Sequence, residues 1–232
     1  MVSPEVVLEA EAEAPGKMDI KIQGWLFTFA LIGGVIAFGW LLSSHSKLSS
    51  KTIRKIVHIL VSFWFFIYVE FMLDIDPFYI ISAIFILLVA LYFSISTEKF
   101  PALNWKGSNK WGTVYYLISL EILIVLRATT NFTIEAFGVG FLTMGFGDGL
   151  AGLIGSNVKS TKLRNNKTVL GCSVMFIITL LVINIMYQNF DRDFLTYIAL
   201  AMIATALEVY SPKGTDNLSV PILTALIAYF LL

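Results

Sequence analysis

The chain is poor in charge. Only 14% of its 232 residues are Asp, Glu, Lys or Arg, against 57% hydrophobic, and the mean hydropathy is +0.81. A soluble domain carries roughly a quarter charged residues, so a soluble globular domain is excluded. Cysteine is nearly absent. The single Cys172 allows neither an internal disulfide nor a multi-cysteine metal site. A formal net charge of zero gives no electrostatic footprint for nucleic acid, and none is expected as a partner. The N-terminus has no signal-peptide pattern: Glu5, Glu9, Glu11, Glu13 and Asp19 interrupt it and no basic region precedes an apolar core. Residues 1–20 read as an acidic, mobile tail, and residues 21–232 as a single transmembrane catalytic domain. There is no long linker and no internal repeat.

What is present is a series of apolar runs. Each is long enough to cross a hydrocarbon core of about 30 Å at about 1.5 Å per residue. Backbone groups in lipid must bond within the segment, so spanning elements are helices or closed barrels. The runs do not alternate with a period of two, which selects helices. The expected fold is an all-α bundle of eight transmembrane helices, over 22–43, 56–73, 77–94, 112–128, 132–154, 171–187, 193–209 and 217–232.

Basic residues orient the bundle. Lys47, Lys51, Arg54 and Lys55 precede the second span. Lys99, Lys106 and Lys110 follow the third, Lys159, Lys162, Arg164 and Lys167 the fifth, and Lys213 the seventh. Crossing at every span puts these 12 of the 16 basic residues on one side. That side is expected to be cytoplasmic, with the N-terminus outside.

Three stretches carry chemistry. In the first, Asp148 lies among Gly145, Gly147, Gly149, Gly152 and Gly155, followed by Lys159, Lys162, Arg164 and Lys167. A carboxylate at membrane depth is costly and faces the bundle interior or a watery cavity. A carboxylate able to hold Mg²⁺ beside cations able to hold phosphate is the minimum set for phosphoryl transfer. The plainer reading stays open: spaced glycines also serve helix packing, and basic loops follow the topology rule. The stretch is not a P-loop, because Leu153 and Val158 stand where Lys159–Ser160 would need glycines, and Thr161 and Asn166 where Lys167–Thr168 would.

In the second stretch, Arg54 and His58 are four residues apart and share a helix face, with Ser62 one turn deeper. Arg54 and Lys55 also fit ordinary boundary anchors. In the third, Glu208, Asp216 and Asn217 offer oxygen donors around the turn at Pro212 and Gly214. In isolation, Asp216–Asn217 reads as a cap for the last helix. All three stretches are expected at one membrane face. Glu121, in the middle of the fourth span, is expected to face inward.

RKIVH at 54–58, GDGLAGLIG at 147–155, KT at 167–168 with Gly171 behind, and E-x7-DN-x2-VP from Glu208 to Pro221 resemble the dolichol kinase and phytol kinase family. That family includes CTP-dependent polyprenol and diacylglycerol kinases and is related to phosphatidate cytidylyltransferases. Leu170 stands where the family usually has Glu, Val158–Lys159 where a second loop glycine is expected, and Cys172 where a small hydroxyl residue is usual. The resemblance implies CTP as donor, Mg²⁺ as cofactor and a membrane lipid alcohol as acceptor, handled at the bilayer surface.

On that reading Asp148 and Asp216 hold metal, and Asp148, His58, Glu208 and Asp216 are the catalytic candidates. Arg54, Lys55, Gly149, Gly152, Gly155, Lys159, Lys167, Thr168 and Asn217 are the candidates for nucleotide and phosphate. A cytidylyltransferase, a small-solute transporter and an inactive relative marked by Leu170 are the alternatives.

Overall fold

A computed structural model describes residues 18–97, 111–188, 194–212 and 214–232. The expected tail falls largely outside these residues, as do Lys99, Lys106, Lys110, Arg192 and Lys213. The described residues are 84% helical without strands, and the eight helices among them make an all-α polytopic membrane bundle. In chain order they are α1 (Ile20–His45), α2 (Ser50–Met72), α3 (Pro77–Thr97), α4 (Gly112–Thr129), α5 (Ile134–Asn157), α6 (Val169–Met186), α7 (Phe194–Tyr210) and α8 (Asp216–Leu231). Five of them, α1, α2, α4, α5 and α6, are long and apolar enough to cross a membrane. The other three are apolar over shorter described lengths.

Two boundaries differ from the sequence reading for physical reasons. Helix α2 starts at Ser50, six residues earlier than expected. Ser49 caps it, its hydroxyl accepting the Thr52 N–H at 3.1 Å. Lys51, Arg54 and Lys55 are therefore helical rather than in a loop. At α8 the N-cap position belongs to Thr215, and Asp216 sits in the first turn. Its Oδ1 accepts the Asn217 N–H at 3.1 Å, and its other oxygen is held by a lysine. The cap expected from Asp216–Asn217 gives way to an ion pair.

Helix α5 is the hub. Of its most apolar stretch 72% is buried, against 11% for α1. It packs against α2, α4, α6 and α8, while α7 leans on α6 and α8, α3 on α4 and α1 on α2. Its glycines make this possible. A Cβ at Gly140 would collide with the Pro221 carbonyl oxygen and the Ala225 Cβ of α8, and one at Gly138 would lie 2.7 Å from the Phe65 ring. The glycine-rich span that looks least like a helix by composition is thus the one enclosed by the rest.

Close approach at Gly140 is against backbone, which cannot swing away. Gly140→Ala should cost about 1–3 kcal/mol of stability, the usual range for overpacking, read as a lower Tm in detergent. Gly33→Ala and Gly34→Ala on α1, with nothing within 4 Å of either added Cβ, should leave Tm unchanged.

Candidate functional site

The helix ends that carry the three stretches meet at one end of the bundle. They are the first two turns of α2, the first turn of α8, the C-terminal part of α5, the last turn of α7 and the loop entering α6. Asp148 closes a π-helical turn, Thr143–Asp148, within α5. Such wide turns recur at functional sites. Here the turn sits where Gly145 admits the Ser62 side chain: a Cβ there would overlap the Ser62 hydroxyl. Asp148 has no accessible surface.

Its Oδ2 receives a hydrogen bond from the Lys55 ammonium, itself buried. Its Oδ1 lies 3.3 Å from Lys167 Nζ. The same ammonium lies 2.8 Å from Glu208 Oε1 and 3.2 Å from Asp216 Oδ2. Five ionic side chains from five segments thus form one cluster. Lys167 uses all three of its donors. Burial works against its charge, but Asp148, Glu208 and Asp216 outweigh that and hold its pKa well above the ordinary lysine value. Glu208 is buried, and its Oε2 has no hydrogen-bond partner.

The remaining candidates surround the cluster in different ways. Asn217 Nδ2 donates to the Gly112 carbonyl at 2.7 Å and ties α8 to the start of α4. The Arg54 guanidinium lies at the same place, Nη1 3.7 Å from where a Gly112 Cβ would stand. His58 is buried and stacks on Tyr116, ring centroids 4.8 Å apart, with neither ring nitrogen hydrogen-bonded. Thr168 caps α6 by accepting the Gly171 N–H at 3.1 Å. Gly149 faces Ile59, Gly152 the Lys55 stem, and Gly155 the Gly171 backbone and Thr168. These three glycines bring α5 against α2 and α6. Lys159 is exposed in the loop, outside the cluster.

Sequence reasoning passed over Tyr116. Its hydroxyl lies 3.1 Å from Ser62 Oγ and its ring covers His58. The only sequence signal is a tyrosine pair, Tyr115–Tyr116, near the start of the fourth span. Glu121, expected to face inward, is half-buried with no ion pair among the described residues.

A Mg²⁺ ion bound through one or two carboxylates and substrate phosphates would have to compete with the lysines that hold Asp148 and Asp216. Asp148, Glu208 and Asp216 each aim an oxygen at one point, and Glu208 keeps a second oxygen unsatisfied. Among the described residues no three His, Cys, Asp or Glu side chains are grouped as a metal site. The Lys167 ammonium stands between the carboxylates.

Removing one partner of a buried pair strands the other, at about 3–5 kcal/mol. Asp148→Asn should therefore lower the thermal stability of the protein severely. Asp216→Asn, at a partly exposed side chain with two other carboxylates left on Lys167, should cost about 1 kcal/mol or less. Thermal unfolding of both variants in one detergent checks the order.

Neither a family model nor a solved structure matches the chain. Among curated proteins it is similar to a phytol kinase of Synechocystis sp., 28% identical over 214 residues, which cover 85% of this chain and 87% of the relative. The similarity runs through most of both chains. It supports the phytol and dolichol kinase family for this chain.

Proposed function

We propose that the protein is a membrane kinase that transfers the γ-phosphate of CTP to the hydroxyl of a lipid alcohol such as a polyprenol, dolichol, phytol-like alcohol or diacylglycerol, with Mg²⁺. The observation that carries the reading is the ion cluster of Lys55, Asp148, Lys167, Glu208 and Asp216 at one end of a membrane helix bundle. The similarity to a phytol kinase supports the kinase class. The donor and the metal rest on the motif resemblance. The cluster end faces the cytoplasm, where a water-soluble nucleotide is available, because the basic residues gather there.

In this reading Asp148 and Asp216 would hold the metal, which would neutralise charge on the donor phosphates. Lys167 and Arg54 receive the phosphate oxygens as charge spreads over them. Lys55 stays on Asp148 and keeps that carboxylate ionised and fixed. Glu208, with one oxygen uncommitted, takes the proton from the acceptor hydroxyl. The acceptor oxygen bonds to the γ-phosphorus, the bond from that phosphorus to the bridging oxygen breaks, and CDP leaves. His58 and Tyr116 pack behind the cluster and orient it. The lipid chain stays among the helices or in the inner leaflet.

The cytidylyltransferase alternative uses the same donor but moves the other end of it. Purified protein in detergent, incubated with Mg²⁺, a panel of lipid alcohols and CTP labelled on the γ-phosphate, should yield a labelled lipid. CTP labelled on the α-phosphate should not. Transfer of the α label would reassign the protein to cytidylyl transfer. No transfer from CTP, with transfer from ATP, would remove CTP from the account.

A further inference from the structure

A groove of about 680 Å³ opens between α6 and α7 at the end of the bundle that carries the cluster. Val169, Phe176 and Ile177 wall it on one side, and Met202, Ala206 and Val209 on the other. Their spacing puts them on one face of each helix. Ile177 and Met202 are 54% and 56% exposed, and in a membrane that exposure is to hydrocarbon. Both hydroxyls in the walls are already used. Ser173 donates to the Val169 carbonyl at 3.1 Å and Thr205 to the Ala201 carbonyl at 2.8 Å. What the walls offer an occupant is apolar contact.

Where the groove ends sets it apart from an ordinary lipid-facing furrow. Val209 directly follows Glu208, and Val169 and Cys172 stand two and five residues after Lys167. Cys172 lies within electrostatic range of both Glu208 and Lys167. Leu163 and Tyr210 close the same end, and the Arg164 guanidinium rests over the Tyr210 ring, 5.7 Å from its centroid. Asn165 donates its amide to the Val209 and Ser211 carbonyls at 3.0 Å, which fixes the loop onto α7 there. A second groove, walled in part by Phe66, Glu70, Glu135 and Ile185, lies at the opposite ends of α2, α5 and α6, away from the cluster.

We propose that the groove between α6 and α7 seats the apolar chain of the acceptor alcohol, with its hydroxyl end at Glu208. The proposal rests on the kinase reading for the class of lipid, but a seat for the chain needs neither a particular nucleotide nor a metal.

Lipid tails are as apolar as these walls, so burial alone gives a chain little reason to leave the bilayer. The groove contributes orientation instead. From Val169 to Ile177, and from Tyr210 back to Met202, each wall runs eight residues, about 12 Å at the helical rise. A chain lying along it has its polar end at the charges and its far end in hydrocarbon. The hydroxyl is then presented to the cluster in one direction, which removes part of the orientational cost of reaction.

The test reads binding rather than turnover. A phytol analogue with a photoreactive group at the far end of its chain is cross-linked to the full protein in detergent, with and without excess phytol. Adducts that phytol competes away should map to α6 and α7 near Ile177 and Met202. Ala206→Phe and Ser173→Phe fill the groove from opposite walls at exposed positions. Each should weaken binding of labelled phytol by about tenfold or more, the scale of overpacking, with Tm unchanged. Ile185→Phe, in the second groove, should bind phytol as wild type does. In γ-label transfer, the two groove variants should raise KM for phytol and leave KM for CTP unchanged.

No competable adducts, or competable adducts confined to other helices, would overturn the proposal on the wild-type chain, however the variants fold. Wild-type phytol affinity in both groove variants would overturn it as well. Either result alongside γ-label transfer from CTP would leave the kinase reading standing. Competable adducts in the groove without transfer from any nucleotide would support the seat and remove the kinase reading.

Discussion

Asp148 has no accessible surface, and an isolated carboxylate in so dry a place would shed its charge rather than stay ionised. The Lys55 ammonium against it is what allows the charge to exist. Two buried ions compensate each other only when their geometry is held, so the pair demands that α2 and α5 approach closely and in register. The glycines meet that demand. Gly149 and Gly152 present bare backbone to Ile59 and to the Lys55 stem, and Gly145 takes in Ser62. The central position of α5, with α6 and α8 brought onto it, supports the same end of the bundle.

From that pair the rest of the cluster follows. Asp148 has a second oxygen, which draws Lys167 from the loop, and Lys167 in turn gathers Glu208 and Asp216 from α7 and α8. Four helices and one loop are thereby tied at one end of the bundle. The arrangement is costly in stability terms, since buried ion pairs are often no better than packed apolar side chains. Retaining it makes sense where the same charges are needed for chemistry on phosphates, which requires cations and carboxylates in reach of each other.

Much of this was legible in the residues. The helices stand out because lipid demands long apolar runs, and the rare charges inside them, Asp148 above all, stand out for the same reason. The gathering of three distant stretches at one face follows from counting crossings. The pairing did not follow. Lys55 and Asp148 are 93 residues apart, and nothing in periodicity says that one holds the other; by sequence Lys55 fits a boundary anchor or a contact for phosphate. Gly149, Gly152 and Gly155 look alike whether they cradle a ligand or admit a neighbouring helix, and only the opposing side chains distinguish the two. Tyr116 carries no charge to mark it, so its place over His58 was invisible. Asp216 resembles a helix cap until Lys167 is seen to claim its second oxygen.

The account depends on Lys55 and Asp148 acting as one unit. A double-mutant cycle of Lys55→Met, Asp148→Asn and the combined variant, by thermal unfolding in detergent, measures that directly. Each single change should strand a buried charge, and the double change should remove both. The double variant should then be less destabilised than the two singles together by about 2 kcal/mol or more, within the range of contacting pairs. Additivity within about 0.5 kcal/mol would mean that the two residues do not compensate each other, and would contradict the claim on which the rest is built.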